Sequence, residues 1–283
     1  METRKRWIIV IVEIVVCLIV GISTAIAETD YPTRSINMVV PMAPGGATDS
    51  ILRLYKDKVE KRLGQPTVMI YKPGAGGVIA GTYVKESKPD GYTLLITSSN
   101  TMILGKLTRK ADYSLDDFIP VCSLALSPAI FCVRPDSPYK TMKDFFQAAK
   151  TKKLKYSTTG AYQLPQLIID DIGKKEGSQA IAVPMNGAAQ AMTAVLGGHV
   201  DMSGSSPTGI EDQLRILAVL LKDRWAAQPD VPTLKELGYP TLVLEGGYVI
   251  LGQKNMEKSV AEKLQGAFKK AMESLPKVNG KVK

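Results

Sequence analysis

The sequence predicts an α/β fold in two lobes, and three observations predict it. Short apolar runs alternate with amphipathic stretches along most of the chain, and many of these runs end in glycine-rich or hydroxyl-rich loops. An apolar span from Phe118 to Val133, broken by Ser127-Pro128, separates a first series of such units from a second. Alternation of this kind implies mostly parallel sheets covered by helices on both faces. The length of 283 residues accommodates two domains, and 45% hydrophobic with 22% charged residues excludes disordered, collagen-like and coiled-coil chains.

The first residues are expected to be an address. Met1-Glu2-Thr3-Arg4-Lys5-Arg6 is basic, Trp7 to Ile22 carries Glu13 as its only charge, and Ala25-Ile26-Ala27 has the small-x-small form of a cleavage site. The reading is a cleavable secretory signal over residues 1–27, and hence an exported protein. The alternative is an uncleaved anchor, although Trp7 to Ile22 is slightly short of the roughly 17–25 residues a spanning helix needs. Glu13 counts against both. Ile14-Val15-Val16 before Cys17 is not the small-residue context that lipid attachment requires.

In the first series, Ile36 to Met42 reads as a strand that breaks at Ala43-Pro44-Gly45-Gly46. Thr48 or Asp49 is expected to cap a helix whose apolar residues Ile51, Leu52, Tyr55, Val59 and Leu63 recur at helical spacing up to Gly64. Thr67 to Tyr71 is a second strand, followed by Pro73-Gly74-Ala75-Gly76-Gly77 and a helix over about 78–87. Tyr92 to Thr97 is a third strand, ending at Ser98-Ser99-Asn100. In the second series Thr141 and Asp144 form a capping box before Met142 to Thr151. Strands follow at 155–158, 180–185, 200–203 and 216–221, with helices at 163–174 and 188–196. Leu242 to Leu251 is strand-like, and Glu257 to Ser274 is an amphipathic helix. The lobes are expected to comprise residues 28–126 with 246–283, and residues 127–245.

Charge and residue counts narrow the function. The formal charge of +9 invites an anionic ligand, an acidic surface or nucleic acid. Export removes nucleic acid as a partner, and most of the surplus lies on helix faces, as at Lys56, Lys58, Lys61, Lys269 and Lys270. A single histidine, His199, excludes a multi-histidine metal site within one chain and sits where a surface turn is expected. No cofactor and no metal are expected. Cys122 and Cys132 are read as two buried free thiols, with a disulfide as the alternative.

The loops offer binding groups more readily than catalytic ones. Ala43 to Asp49 places glycines beside a helix N-terminus with unpaired N–H donors, which suits a carboxylate or phosphate. An ordinary tight turn with a cap explains that loop equally well. Pro73 to Gly77 resembles a dinucleotide turn, but Ile79 stands where G-x-G-x-x-G needs glycine, and no P-loop occurs. Ser98, Ser99, Ser203, Ser205 and Ser206 supply hydroxyls, and none lies in G-x-S-x-G. An enzyme is therefore not expected, an exported serine hydrolase using Ser203 to Ser206 being the alternative. Thr158-Thr159-Gly160 before Gln163, and Asn186-Gly187-Ala188, repeat the polar-loop pattern at helix starts in the second lobe. Several such termini together favour an anionic ligand in a cleft.

These residues bring a family into view. Pro41-Met42-Ala43-Pro44-Gly45-Gly46-Ala47-Thr48-Asp49, Gly64-Gln65, Pro73 to Gly77 and Pro89-Asp90-Gly91-Tyr92-Thr93-Leu94-Leu95 resemble successive signatures of the tripartite tricarboxylate transporter substrate-binding proteins, the Bug family. Val183 to Gly187, Gly197 to Asp201, Leu217 to Val219 and Pro229 to Thr233 follow in the same order. The resemblance implies a type II periplasmic-binding-protein fold with a ligand cleft between lobes. It implies a receptor that captures a small carboxylate and delivers it to the subunits of a membrane permease driven by an ion gradient. A monomer is expected, and a ligand-sensing adaptor for a sensor kinase is the alternative.

By the same resemblance one ligand carboxylate is held by main-chain groups and water at Ala43, Pro44, Gly45, Gly46, Thr48 and Asp49, with Asp49 orienting the loop. Ser98, Ser99, Asn100, Thr158, Thr159, Gly160, Gln163, Asn186, Gly187, Ala188, Ser203, Gly204 and Ser205 complete the expected site. The chain departs from the family at Tyr71-Lys72, where Asn-Arg is common, at Met185-Asn186, and in a short stretch between Ser206 and Arg215.

Overall fold

The computed structural model describes residues 30–109, 111–126, 128–239 and 246–275, with backbone alone at 277–278 and 281–282. The expected signal over 1–27, with Cys17, lies outside the described residues. The chain divides into units Met1–Tyr31 and Pro32–Lys283, and the second carries the elements that follow.

The strand-loop-helix units form as their apolar spacing dictates. Strand β1 (Ile36–Val40) leads into α1 (Ala47–Leu63), β2 (Thr67–Tyr71) into α2 (Val78–Lys85), and β3 (Thr93–Ser98) into α3 (Ser99–Arg109). Helix α1 ends at Gly64, whose φ of 70° is the left-handed cap conformation that glycine adopts without a Cβ penalty. Its cap N–H donates to the Glu60 carbonyl. Two crossings then exchange strands between sheets. β4 (Phe118–Leu126) stays with the first sheet and β5 (Ala129–Val133) enters the second, so the apolar span read as a connection consists of two strands, one in each sheet.

The second series runs α4 (Met142–Ala148), β6 (Lys155–Thr158), α5 (Leu164–Glu176), β7 (Ile181–Pro184), α6 (Ala188–Leu196), β8 (Met202–Ser205) and β9 (Arg215–Leu220). β10 (Gly247–Gln253) returns to the first sheet, and α7 (Lys258–Glu273) packs against α1, before the two-stranded ribbon β11 (Lys277–Val278) and β12 (Lys281–Val282). Thr141 and Asp144 form the expected reciprocal capping box at α4.

The sheets share one plan, in the orders β2-β1-β3-β10-β4 and β7-β6-β8-β5-β9. Three parallel strands lie on one side of each, and the fourth strand runs antiparallel to its neighbours. The sheets thus run mostly parallel, as expected, with β10 and β5 the antiparallel strands.

The second sheet is covered on both faces. Phe131, Phe145, Phe146, Tyr156 and Ile169 form one apolar cluster, and Cys132, Met192, Val195 and Val219 the other. Leu104 of α3 joins the first of these clusters, so apolar contact spans the two lobes. In the first lobe Val39, Leu95, Met102, Tyr113 and Phe118 pack together. Cys122 is half-buried and Cys132 buried; they sit in different sheets, remain thiols, and burial pushes Cys122 up to about 12.

Helix α3 was not foreseen. A Cβ at its Gly105 would meet the Tyr113 Oη at 2.5 Å, so glycine permits the close packing of Tyr113. Part of the positive surplus collects in a groove of about 800 Å³ between α1 and α7, lined by Lys58, Lys61, Arg62, Lys263 and Lys270. Lys58 and Arg62 donate there to the carbonyls of Ser274 and Lys270, where the end of α7 is negative.

Candidate functional site

The loops after the parallel strands of both sheets meet, as open α/β sheets arrange them. They enclose a cavity of about 80 Å³, several times the ~10–15 Å³ one water needs. The first lobe contributes Pro41, Met42, Gly46, Ala47, Thr48, Thr97, Ser98, Asn100, Thr101, Gly246 and Tyr248. Ala129, Thr159, Gln163, Leu164, Pro165, Ala188, Ser206 and Leu220 complete the wall. No lining side chain carries a charge.

The starts of α1, α3, α5 and α6 all reach this wall. The N-caps of α1, α5 and α6, at Gly46, Gln163 and Gly187, make no side-chain capping bond. Orphan backbone N–H groups and the positive helix ends therefore collect around an uncharged cavity. Gly187 lies against the other lobe: a Cβ there would meet Met42 Cβ at 3.5 Å and the Ala43 backbone N at 3.7 Å.

The expected cap of α1 by Thr48 or Asp49 is corrected. Gly46 is the N-cap, and Thr48 and Asp49 lie within the first turn. Asp49 instead braces the loop from behind. It is 4% exposed, and it accepts from Gly45 N–H at 3.0 Å, from Arg53 Nε at 3.0 Å and from the Tyr71 hydroxyl. Tyr71, at a position where the chain departs from its resembled family, is thus the brace's far end. Burial works against ionisation of Asp49, but the bonds from Tyr71, Arg53 and Gly45 outweigh it and hold the carboxyl below its ordinary value. Glu60 is likewise depressed, its burial outweighed by Lys56 and Thr67.

A carboxyl depressed in the folded state contributes stability that is complete above its unfolded value, near ~4, and lost as pH falls through the folded value. Urea midpoints are therefore expected to be level between about pH 5 and 7 and to fall below about pH 4. A midpoint that rises on acidification contradicts this.

The lobes are latched by direct bonds. Ala43 N–H donates to the Asn186 carbonyl at 2.9 Å. Gln163, 4% exposed at the start of α5, donates through Nε2 to the Gly76 carbonyl at 3.0 Å. Its Oε1 accepts from Thr101 Oγ1 at 3.3 Å.

Of the expected residues, Gly46, Thr48, Ser98, Asn100, Thr159, Gln163 and Ala188 line the cavity. Gly160 and Asn186 line an adjoining cavity of about 200 Å³ with Met42, Gly74, Ala75, Gly76, Arg109, Thr159, Ala161, Pro184 and Met185. The others lie outside both walls. Pro44 and Gly45 are exposed, Ala43 and Gly187 serve the contact between lobes, and Asp49 faces away. Ser99 Oγ accepts from Gly247 N–H, and Thr158 Oγ1 donates to the Gly160 carbonyl.

Gly204 and Ser205 lie with Ser203 in strand β8, which runs two residues past the strand expected at 200–203. Both hydroxyls are fully buried, 3.4 Å apart, and a Cβ at Gly204 would press Pro165 at 3.0 Å. His199 lies exposed in a turn, and the described residues hold no cluster of three metal-ligating side chains. Thr97, Thr101, Ala129, Leu220 and Tyr248 were not anticipated in the wall. Ala129, Leu220 and Tyr248 read as core residues of strands, and pairing between distant strands brings them to the cleft, while Thr101 arrives on helix α3.

Two lobes of this topology with a cavity between them define a type II periplasmic binding protein. A structure described as periplasmic binding protein BugD is 27% identical, with a TM-score of 0.79 over 86% of this chain and 84% of that one. The family model for the tripartite tricarboxylate transporter family receptor matches residues 51–280, and the chain belongs to that family. A protein from the gbd 5′ region of Cupriavidus necator is 34% identical over 254 residues, covering 87% of this chain and 77% of its own. MatC from Rhodopseudomonas palustris, solved with bound malate, is 27% identical with a TM-score of 0.79, over 86% of each chain. The family consists of periplasmic solute-binding receptors. Among the described residues no helix is long and apolar enough to cross a membrane.

Proposed function

We propose that the protein captures a small carboxylate between its lobes and delivers it to the membrane subunits of a tripartite tricarboxylate-type permease. One observation carries the reading: an uncharged cavity between lobes, ringed by helix starts that lack side-chain caps. Such N–H groups and dipoles favour an anion, and the neutral wall leaves no fixed counter-ion to retain it. Malate bound to a relative of the same fold supports the ligand class.

Gly46, Thr48, Ser98 and Asn100 hold the ligand from one side, and Thr159, Gln163 and Ala188 from the other. The remaining expected residues shape and brace these loops. Residues 28–126 with 246–283 move as one lobe and 127–245 as the other, and ligand shifts the pair toward closure. The receptor acts as a periplasmic monomer after cleavage at Ala27.

Thermal unfolding with malate, succinate, citrate, benzoate and glutamate tests the reading. A true ligand at about a hundredfold over its Kd stabilises by roughly 2.7 kcal/mol. No shift with any of these acids contradicts it.

A further inference from the structure

We propose that the basic groove between α1 and α7 docks an acidic polypeptide segment, carried by the membrane subunits to which the receptor delivers its ligand. Recognition of an acidic chain stands on the groove itself. The membrane subunits as its source rest on the proposed function.

Two helix faces of the same sign meet there. Lys58, Lys61 and Arg62 recur at i, i+3 and i+4 on α1, and Lys263 and Lys270 stand at i and i+7 on α7, so each set shares one face. Packing of α1 against α7 brings all five to one groove of about 800 Å³. None of the five forms an ion pair among the described residues. Glu262, the acidic residue of the wall, pairs with Lys258 at 3.6 Å. Lys58 and Arg62 are fixed in place by the carbonyls of Ser274 and Lys270, at 3.2 and 3.1 Å, which position their charge without a carboxylate to balance it.

The chain supplies no occupant of its own. Past Leu275 the sequence adds Lys277, Lys281 and Lys283 and no acid, and the whole chain carries +9, so like charge opposes both its own tail and a second copy. Shape favours a polypeptide over a bilayer. Leu63 and Ala267 give the groove an apolar floor, and an added Cβ at Gly266 meets nothing within 4 Å. A flat layer of anionic headgroups reaches the lysines at the rim but cannot fill that floor. A segment with acidic side chains beside an apolar one matches both. None of the groove residues lines the cavity between the lobes, so docking does not require bound ligand.

Fluorescence anisotropy with a labelled peptide of Glu-Leu-Glu-Glu repeats tests the groove, against the same peptide with glutamine for glutamate and against phosphatidylglycerol vesicles. The acidic peptide is expected to bind the purified protein at low salt, more weakly as salt rises, and the glutamine peptide not at all. Lys61→Glu with Lys263→Glu, both at exposed positions, is expected to weaken binding about tenfold or more while leaving the unfolding temperature unchanged. Lys152→Glu with Lys153→Glu makes the same charge change at an exposed turn elsewhere, and is expected to alter binding less than twofold. An equal loss in the two double variants, or binding of the vesicles without binding of the acidic peptide, overturns the assignment. A photo-crosslinking amino acid at position 61 then tests the source in cells. Crosslinks to an Asp- or Glu-rich periplasmic segment of the permease are expected, and crosslinks to a segment without acidic residues overturn the assignment. Absence of any thermal shift with the small acids sinks the delivery reading and leaves the peptide result standing.

Discussion

Replacing Asp49 with alanine is expected to destabilise the protein by about 2–4 kcal/mol and to weaken ligand binding at least tenfold. The carboxylate is buried and accepts three charge-assisted bonds, and such bonds contribute roughly 1.5–3 kcal/mol each where they are fully desolvated. Arg53 is largely exposed and adds little, so the loss falls on Gly45 N–H and Tyr71. Without Asp49 the Gly45-Gly46 turn loses its anchor, and the first turn of α1, which forms one wall of the cavity, loses its position. Tyr71→Phe is expected to give a smaller loss in the same direction. Urea unfolding with an unchanged slope, together with calorimetric titration, measures both effects. Wild-type stability in the alanine variant contradicts the bracing role.

Gln163→Ala is expected to weaken ligand binding by about 5–150-fold, because it removes 1–3 kcal/mol from the closed state. Gln163 spans the seam with both ends of its amide, one on Gly76 and one on Thr101, while its backbone opens α5 at the cavity. The lost bonds exist only when the lobes are together, so the penalty falls on closure and leaves the separate lobes stable. Gln163→Glu is expected to be worse at neutral pH, since a carboxylate cannot donate to the Gly76 carbonyl. Solution scattering separates closure from a lost ligand contact: the ligand-free variants should be more open than wild type. Identical ligand-free scattering contradicts the latch.

Features set by near neighbours were legible in the sequence. The α4 capping box needs only Thr141 and Asp144, and the α1 terminus needs only Gly64 after an apolar stripe. The loops after β1, β3, β6 and β7 were recognisable as places where apolar runs stop at glycine, hydroxyl and amide residues, and several of those residues reach the cavity. What depends on distant partners was not legible. Asp49 reads as a cap until Tyr71, on the neighbouring strand's side, draws it into the brace. Gly204 and Ser205 read as a stretch beyond the strand at 200–203 because short polar residues seldom fill a central strand. They do so here because β8 lies between β6 and β5 with helices on both faces. Arg109 ends a helix that was not foreseen, and only the fold sets it on the Gly76 turn.

A crystal structure of the protein with its co-purified ligand, or with added malate, locates the carboxylate. Density is expected between the lobes among Gly46, Thr48, Gln163 and Ala188, bonded to main-chain N–H groups and hydroxyls. Ligand found only in the basic groove of Lys58, Lys61, Arg62, Lys263 and Lys270, with the cavity between the lobes empty, would contradict it.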